Sequence, residues 1–169
     1  MSREILPGIK QFDLSGRSAV ITGGSKGLGL AMAAGLASAG ARIMLVNRNA
    51  EEGIRAAREL SADYGVKALS FGADITDRAQ TEAMAKVAVE AFGKIDILIN
   101  NAGHSIRRSI AASYQRLHDF ERLMKLNYFA AVRLTLALLN KKYGDKSICG
   151  KCVDRHKASP YYQILKKFD

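Results

Sequence analysis

Three glycines that follow an apolar run could bind a phosphate group. Residues 20–29 read V-I-T-G-G-S-K-G-L-G, and Gly23, Gly27 and Gly29 form the pattern T-G-x-x-x-G-x-G. Glycine permits positive φ angles, and its missing side chain lets a phosphate approach the backbone. The helix that follows offers unpaired N–H groups and the positive end of its dipole to an anion. The alternative is an ordinary strand–turn–helix without a ligand, and the βαβ periodicity around the turn argues against it.

The rest of the chain must position this turn, and it alternates between strands and helices. Apolar runs predict strands at residues 18–22, 41–46, 66–71 and 95–99. Alanine-rich or amphipathic segments predict helices at residues 28–39, 50–64, 77–92 and 120–139. This alternation predicts an α/β protein with a Rossmann-type, doubly wound parallel sheet in the order 3-2-1-4, incomplete because the fifth strand is weak or absent. The carboxyl ends of the strands then meet at one edge, where ligands bind.

The charge of the chain is concentrated near its end. The 169 residues have an ordinary globular composition, with 48% hydrophobic residues and a net charge of +10. About half of that charge lies in residues 140–169. Such a tail permits an anionic partner, nucleic acid or lipid, but no nucleic-acid module accompanies it, so nucleic acid is not the expected partner. The absence of a signal peptide and of a membrane span predicts a cytoplasmic protein.

The two cysteines form a C-x-x-C pair. Cys149 and Cys152 are followed by His156, so a redox pair and a partial zinc site are both conceivable. A closed zinc site needs four ligands, and the sequence has no second pair of cysteines. We interpret the two thiols as a coincidence of spacing and predict no metal site.

Further motifs resemble the short-chain dehydrogenase/reductase family. Residues 22–29 match its cofactor turn, and Asp74-Ile75 match its adenine-contacting pair. Residues 100–103, N-N-A-G, match its central signature, and Asn127 matches the asparagine of its active-site helix. An asparagine that kinks a helix and bonds to backbone is the other interpretation of Asn127. The resemblance implies hydride transfer between a nicotinamide cofactor and an alcohol or carbonyl substrate.

The end of the second strand favours NADP over NAD. An NAD site in this fold has an acidic residue there for the ribose 2′-hydroxyl, but this chain has Asn47-Arg48-Asn49. Arg48 suits a 2′-phosphate, and Lys26 in the glycine turn is a second cation. Arg48 could also be a solvated loop residue. The predicted cofactor-binding residues are Gly23, Ser25, Lys26, Gly27, Leu28, Gly29, Asn47, Arg48, Asp74, Ile75, Asn101, Ala102 and Gly103.

The catalytic residues are harder to place. The resemblance implies a tyrosine as general acid/base and a lysine four residues on, and Tyr162 with Lys166 has this spacing. The substrate-orienting serine could be Ser147 or Ser159, although the fifth strand that should carry it is not recognisable. The predicted catalytic residues are therefore Asn127, Tyr162 and Lys166.

The resemblance ends at residue 139. We predict an NAD(P)-binding Rossmann domain over residues 1–139 and a basic tail of undefined structure over residues 140–169. We interpret the sequence as truncated or diverged after this residue, which a frameshift, an alternative transcript or a gene fragment would explain. An inactive cofactor-binding fragment or regulatory module is thus one alternative to an enzyme, and an anion binder using the basic tail is another.

Two further expectations concern partners. The uncovered fourth strand and the helix over residues 120–139 would expose apolar surface, which predicts a homo-oligomer. The substrate indications conflict. Residues 12–103 look most like members that act on polyols or sugar acids, whereas residues 104–129 look more like members that act on fatty acyl chains.

Overall fold

A four-stranded parallel sheet forms the centre of the protein. The computed structural model describes residues 12–143, with side chains described through residue 139. The strands are β1 (Ser18–Thr22), β2 (Arg42–Asn47), β3 (Ala68–Gly72) and β4 (Ile97–Ile99). Their order is β3-β2-β1-β4, and each neighbouring pair is parallel. The predicted Rossmann-type sheet is confirmed. The first four residues of the predicted basic tail, 140–143, belong to the last helix, and residues 144–169 lie outside the described part of the chain.

Helices cover both faces of the sheet. They are α1 (Gly27–Ser38), α2 (Ala50–Tyr64), α3 (Arg78–Phe92), α4 (Leu117–Met124) and α5 (Ala131–Tyr143), with a π-helical turn at Lys125–Ala130 and a short 3₁₀ turn at Ala111–Ser113. The helix predicted over residues 120–139 instead begins at Leu117, continues through the π turn and ends at Tyr143. Apolar periodicity cannot reveal a π turn, since the turn adds one residue without ending the helix.

The core has two layers that share the central strands. Alternate residues of β2 face opposite sides of the sheet, as strand geometry requires. Ile43 and Leu45 pack with the small residues of α1 and with Leu60 of α2, whereas Met44 packs with Met84 of α3. Five of the six residues of β2 are buried. Burial on both faces explains the nearly continuous apolar sequence of this strand.

One face of the last two helices is exposed. Phe120, Tyr128, Phe129 and Leu136 are each more than half exposed, and β4 is the edge strand of the described sheet. These features support the homo-oligomer expected from the sequence, which stays a prediction that light scattering would test. In the described residues, no helix is long and apolar enough to cross a membrane, and no group of His, Cys, Asp and Glu side chains could hold a metal ion.

Asp96 ties the start of β4 to β1. Its carboxylate accepts hydrogen bonds from the Ser18 backbone N–H at 3.0 Å and from Arg17 at 3.1 Å, and it pairs with Lys94 at 2.9 Å. Burial alone would raise the pKa of Asp96, but the bonds from Lys94, Ser18 and Arg17 outweigh it and lower the pKa to about 2. The charged carboxylate therefore stabilises the junction between the two strands.

We predict that Asp96→Asn lowers the free energy of unfolding by about 1 kcal/mol at pH 7, because Arg17 and Lys94 are half exposed and solvent screens them. Because the pKa of Asp96 is lower in the folded chain than in the unfolded one, its charge stabilises the fold at any pH above the unfolded pKa, near 3.8. This stabilisation is lost as the pH falls towards the folded pKa of about 2. Urea unfolding between pH 2 and 7 should show the difference from wild type shrinking below about pH 4. Asp63→Asn, at an exposed site on α2, is the control. A difference that does not change with pH would contradict the charge argument.

Candidate functional site

A cavity of about 780 Å³ lies at the carboxyl edge of the sheet. The loops after all four strands and the start of the π turn line it, as the doubly wound topology requires. The predicted cofactor-binding residues that line it are Gly23, Ser25, Lys26, Asn47, Arg48, Asp74, Ile75, Ala102 and Gly103. Other lining residues were not predicted from the sequence, and among them Glu52, His104, Arg122 and Lys125 carry polar or charged side chains.

The glycine turn fits a phosphate. Gly23 and Gly27 have φ angles of +64° and +54°, which non-glycine residues rarely adopt. A Cβ on Gly29 would stand 2.1 Å from the Gly23 carbonyl oxygen, so only glycine lets α1 begin this close to β1. No side chain caps α1, and its first turn has no acidic residue, whereas Asn49 and Asp77 cap α2 and α3. The backbone N–H groups at the start of α1 are thus left for an anionic ligand.

Thr22 and Asn101 join the glycine turn to the loop after β4. The Thr22 hydroxyl accepts the N–H groups of Asn101 and Ala102, each at 3.0 Å, and donates to the Ile99 carbonyl. The Asn101 amide donates to the carbonyls of Thr22 and Gly23 at 2.9 and 3.1 Å. We call this set of bonds the Thr22–Asn101 clamp. Asn101 acts here as a positioning residue and, like Gly27, Leu28 and Gly29, does not itself line the cavity.

A carboxylate from α2 reaches the glycine turn. Glu52 accepts a hydrogen bond from the Ser25 hydroxyl at 3.1 Å and pairs with Lys26 at 3.3 Å. Asn49 caps α2 and positions Glu52, because its side-chain Oδ1 accepts the backbone N–H of Glu52. The spacing N-x-x-E at residues 49–52 was a visible signal, since it marks a helix start with an acidic residue in the first turn. Glu52 therefore neutralises one of the two cations assigned to the cofactor.

Arg48 is the other cation, and it lies beside Asp74 in the same cavity. Arg48 is exposed, and it forms no ion pair with any residue from 12 to 139. The hydrogen bond from the Thr76 N–H is the main cause that lowers the pKa of Asp74, and the charges of Arg48 and Lys125 lower it further. Asp74 is thus anionic at neutral pH, between two cations.

Asn127 lies in the π turn and contacts the loop after β4. Its amide donates to the His104 carbonyl at 2.7 Å and accepts the His104 N–H at 2.9 Å. These two bonds hold the loop against the helix, which agrees with the interpretation of Asn127 as an asparagine bonded to backbone. Its catalytic role stays a prediction. The other predicted catalytic residues, Tyr162 and Lys166, lie outside the described residues, as do Ser147, Ser159, Cys149, Cys152 and His156.

Comparisons with known proteins agree with this geometry. A family model described as short chain dehydrogenase matches residues 17–153. The chain is 45% identical over 129 residues to a fatty acyl-CoA reductase of Acinetobacter baylyi, an alignment that covers 75% of this chain and 43% of the reductase.

Solved structures share the fold. The L-sorbose reductase of Gluconobacter frateurii, complexed with NADPH and L-sorbose, has a TM-score of 0.68 at 38% identity. The match covers 75% of this chain and 48% of the reductase chain. NAD⁺-bound xylitol dehydrogenase has a TM-score of 0.70 at 31% identity, with the same two coverages, 75% and 48%. The chain spans less than half the length of each of these three proteins.

The sheet order, the glycine turn and the cavity at the carboxyl edge define a Rossmann-type fold. The chain belongs to the short-chain dehydrogenase/reductase family, as its motifs indicated. The family match extends past residue 139, where the motifs recognised in the sequence end.

Two glycines of α1 should respond oppositely to alanine. Gly29→Ala places a Cβ against the Gly23 carbonyl, so we expect a loss of about 1–3 kcal/mol in the free energy of unfolding. Gly35 lies on the same helix, and a Cβ there would meet no atom within 4 Å, so we expect Gly35→Ala to raise the free energy of unfolding by about 0.5–1 kcal/mol. Urea unfolding measures both. Equal effects would show that the approach of α1 to β1 does not restrict residue 29.

Proposed function

We propose that the chain is an NADP(H)-dependent oxidoreductase that transfers hydride between the cofactor and a carbonyl or alcohol substrate. The observation that carries this proposal is that one cavity is lined both by the glycine turn, which leads into the uncapped α1, and by Arg48, the residue after β2. The first suits a pyrophosphate, and the second suits a 2′-phosphate. The nicotinamide supplies or accepts the hydride, and the chain binds and orients it.

The cation that selects the cofactor is Arg48 more than Lys26. Lys26 is already paired with Glu52, so a 2′-phosphate would have to compete with a carboxylate for it. Asn47, buried at the end of β2, places no carboxylate where a ribose 2′-hydroxyl would need one. The NADPH complex of the sorbose reductase supports this choice, although the xylitol dehydrogenase binds NAD⁺.

We predict that Arg48→Ala weakens NADPH binding by about tenfold or more and leaves NADH binding unchanged, because only NADPH has the 2′-phosphate. Lys26→Ala should have a smaller effect on NADPH. Calorimetric titration of the full chain with each cofactor measures both affinities. Arg58→Ala, an exposed cation on α2, is the matched control. Equal losses for NADPH and NADH would overturn the assignment of Arg48 to the 2′-phosphate.

The catalytic assignment follows the family motif. We propose that Tyr162 exchanges the proton of the substrate oxygen, that Lys166 holds the cofactor ribose and favours the ionised tyrosine, and that Asn127 positions the loop at His104. An acyl substrate is the class we favour, because the acyl-CoA reductase is the relative with 45% identity and because residues 104–129 resemble acyl-specific members.

Turnover tests this assignment. We expect NADPH consumption with an acyl-CoA thioester or a long-chain aldehyde, and Tyr162→Phe should lower kcat at least a hundredfold without changing NADPH affinity, because it removes the proton donor. Tyr64→Phe, on α2, is the control for loss of one phenol. NADPH binding without consumption by any carbonyl would instead support the inactive binding module. Full activity in Tyr162→Phe would remove Tyr162 from the mechanism.

A further inference from the structure

Three guanidinium groups meet one buried carboxylate at the start of α4. Asp119 is 6% exposed, and its Oδ2 atom accepts Arg108 at 2.9 Å and Arg116 at 2.7 Å. Arg122 lies 3.9 Å from Oδ1, and His118 lies 3.4 Å from the same atom. We call Arg108, Arg116, Arg122 and Asp119 the guanidinium cluster. The hydrogen bond from Arg116 is the main cause of the lowered pKa of Asp119, so the carboxylate is charged at neutral pH.

The cluster carries more positive charge than a structural ion pair needs. One carboxylate meets three arginines, and within residues 12–139 none of the three has another carboxylate partner. Arg108 and Arg116 are a third and two fifths exposed, so their remaining N–H donors are in reach of a ligand. Like charges this close repel, and an added anion would relieve the repulsion. Arginine forks match the geometry of phosphate oxygens well.

The cluster adjoins the cofactor cavity. Arg122 belongs to both, and His104, at the start of the loop that carries Arg108, also lines the cavity. Asp119 holds that loop to α4 from one side, and Asn127 holds it from the other. A molecule with a reactive group in the cavity and an anionic group on its handle could therefore reach both.

We propose that the guanidinium cluster binds a phosphate group on the handle of the substrate, and that the chain thereby selects acyl thioesters of phosphopantetheine carriers over neutral carbonyl compounds. The acyl part of this inference rests on the proposed function, whereas the anion part rests on the guanidinium cluster alone. The phosphate could belong to free coenzyme A or to the phosphopantetheine arm of a carrier protein. Both present a phosphate at the end of the same pantetheine chain.

A ligand series on the unmodified full chain tests the proposal without relying on any variant. Coenzyme A, 4′-phosphopantetheine and pantetheine are titrated by calorimetry into the chain saturated with NADP⁺, so that the cofactor site cannot take the added phosphates. We expect both phosphorylated ligands to bind at least about tenfold more tightly than pantetheine. Tight binding of coenzyme A alone would assign the cluster to its nucleotide phosphates. Equal affinities, or no binding by any of the three, would overturn the proposal.

Variants then locate the site. Arg108→Gln/Arg116→Gln should abolish the preference for phosphorylated ligands, because it removes two of the three cations, and it should leave NADPH affinity within about twofold, since neither residue lines the cofactor cavity. Arg58→Gln/Lys86→Gln removes the same charge from exposed faces of α2 and α3 and should change nothing. A retained preference in the first double variant would exclude the cluster as the phosphate site.

Arg48→Ala separates this inference from the proposed function. We expect it to weaken NADPH binding while the preference for phosphopantetheine over pantetheine, measured without cofactor, persists. If NADPH does not bind but the preference holds, the proposed function fails and the anion site stands. If the preference disappears in Arg48→Ala as well, the added phosphates were occupying the cofactor site, and the cluster has no separate ligand.

Discussion

The Thr22–Asn101 clamp is the constraint on which the site depends. Parallel strands end with backbone groups that no neighbouring strand satisfies, and such groups are costly when buried. Here one hydroxyl and one amide satisfy the ends of β1 and β4 together. The clamp holds the loop after β4 so close to Gly23 that a Cβ there would come within 3.0 Å of the Asn101 amide. The glycine turn and one wall of the cavity are therefore positioned by the same few hydrogen bonds.

The charges in the cavity decide which anion the turn prefers. Glu52 stands at the turn and Asp74 stands across the cavity, so the positive charge available to a phosphate is smaller than the number of basic residues suggests. When a cation is already paired with a carboxylate, a phosphate that displaces the carboxylate gains only the difference between two similar attractions to that cation. Arg48 has no ion pair among the described residues, and only the charge of Asp74 acts on it from nearby, so it offers a phosphate more attraction than Lys26 and five donors in a planar fork.

Local chemistry was predictable from the sequence, and long-range pairing was not. The sheet follows from apolar runs and glycine caps, because each strand and helix depends on residues next to it in sequence. The placement of Gly23, Gly29 and Asn101 was predictable because each answers a need of the backbone next to it: a positive φ angle, a close approach and a partner for strand-end carbonyls. The Ser25–Glu52 bond, the contact between His104 and Asn127, and the Arg108–Asp119 pair join residues 11 to 27 positions apart. Periodicity carries no information on such pairs, and the π turn that holds Asn127 leaves the apolar pattern unbroken.

The proposed cofactor site and the proposed catalytic pair lie on different parts of the chain. Within residues 12–143, the hydrogen bonds that shape the glycine turn, from the Gly23 N–H on the Val46 carbonyl to the clamp, join residues before position 103. The last helix is joined to the sheet and its loops by two hydrogen bonds. The Asn100 amide donates to the Thr135 hydroxyl, and Arg133 donates to the Thr76 carbonyl. The binding half is thus complete in its own hydrogen bonds. Loss of the Tyr162 hydroxyl alone should therefore lower turnover and leave the glycine turn and its hydrogen bonds intact.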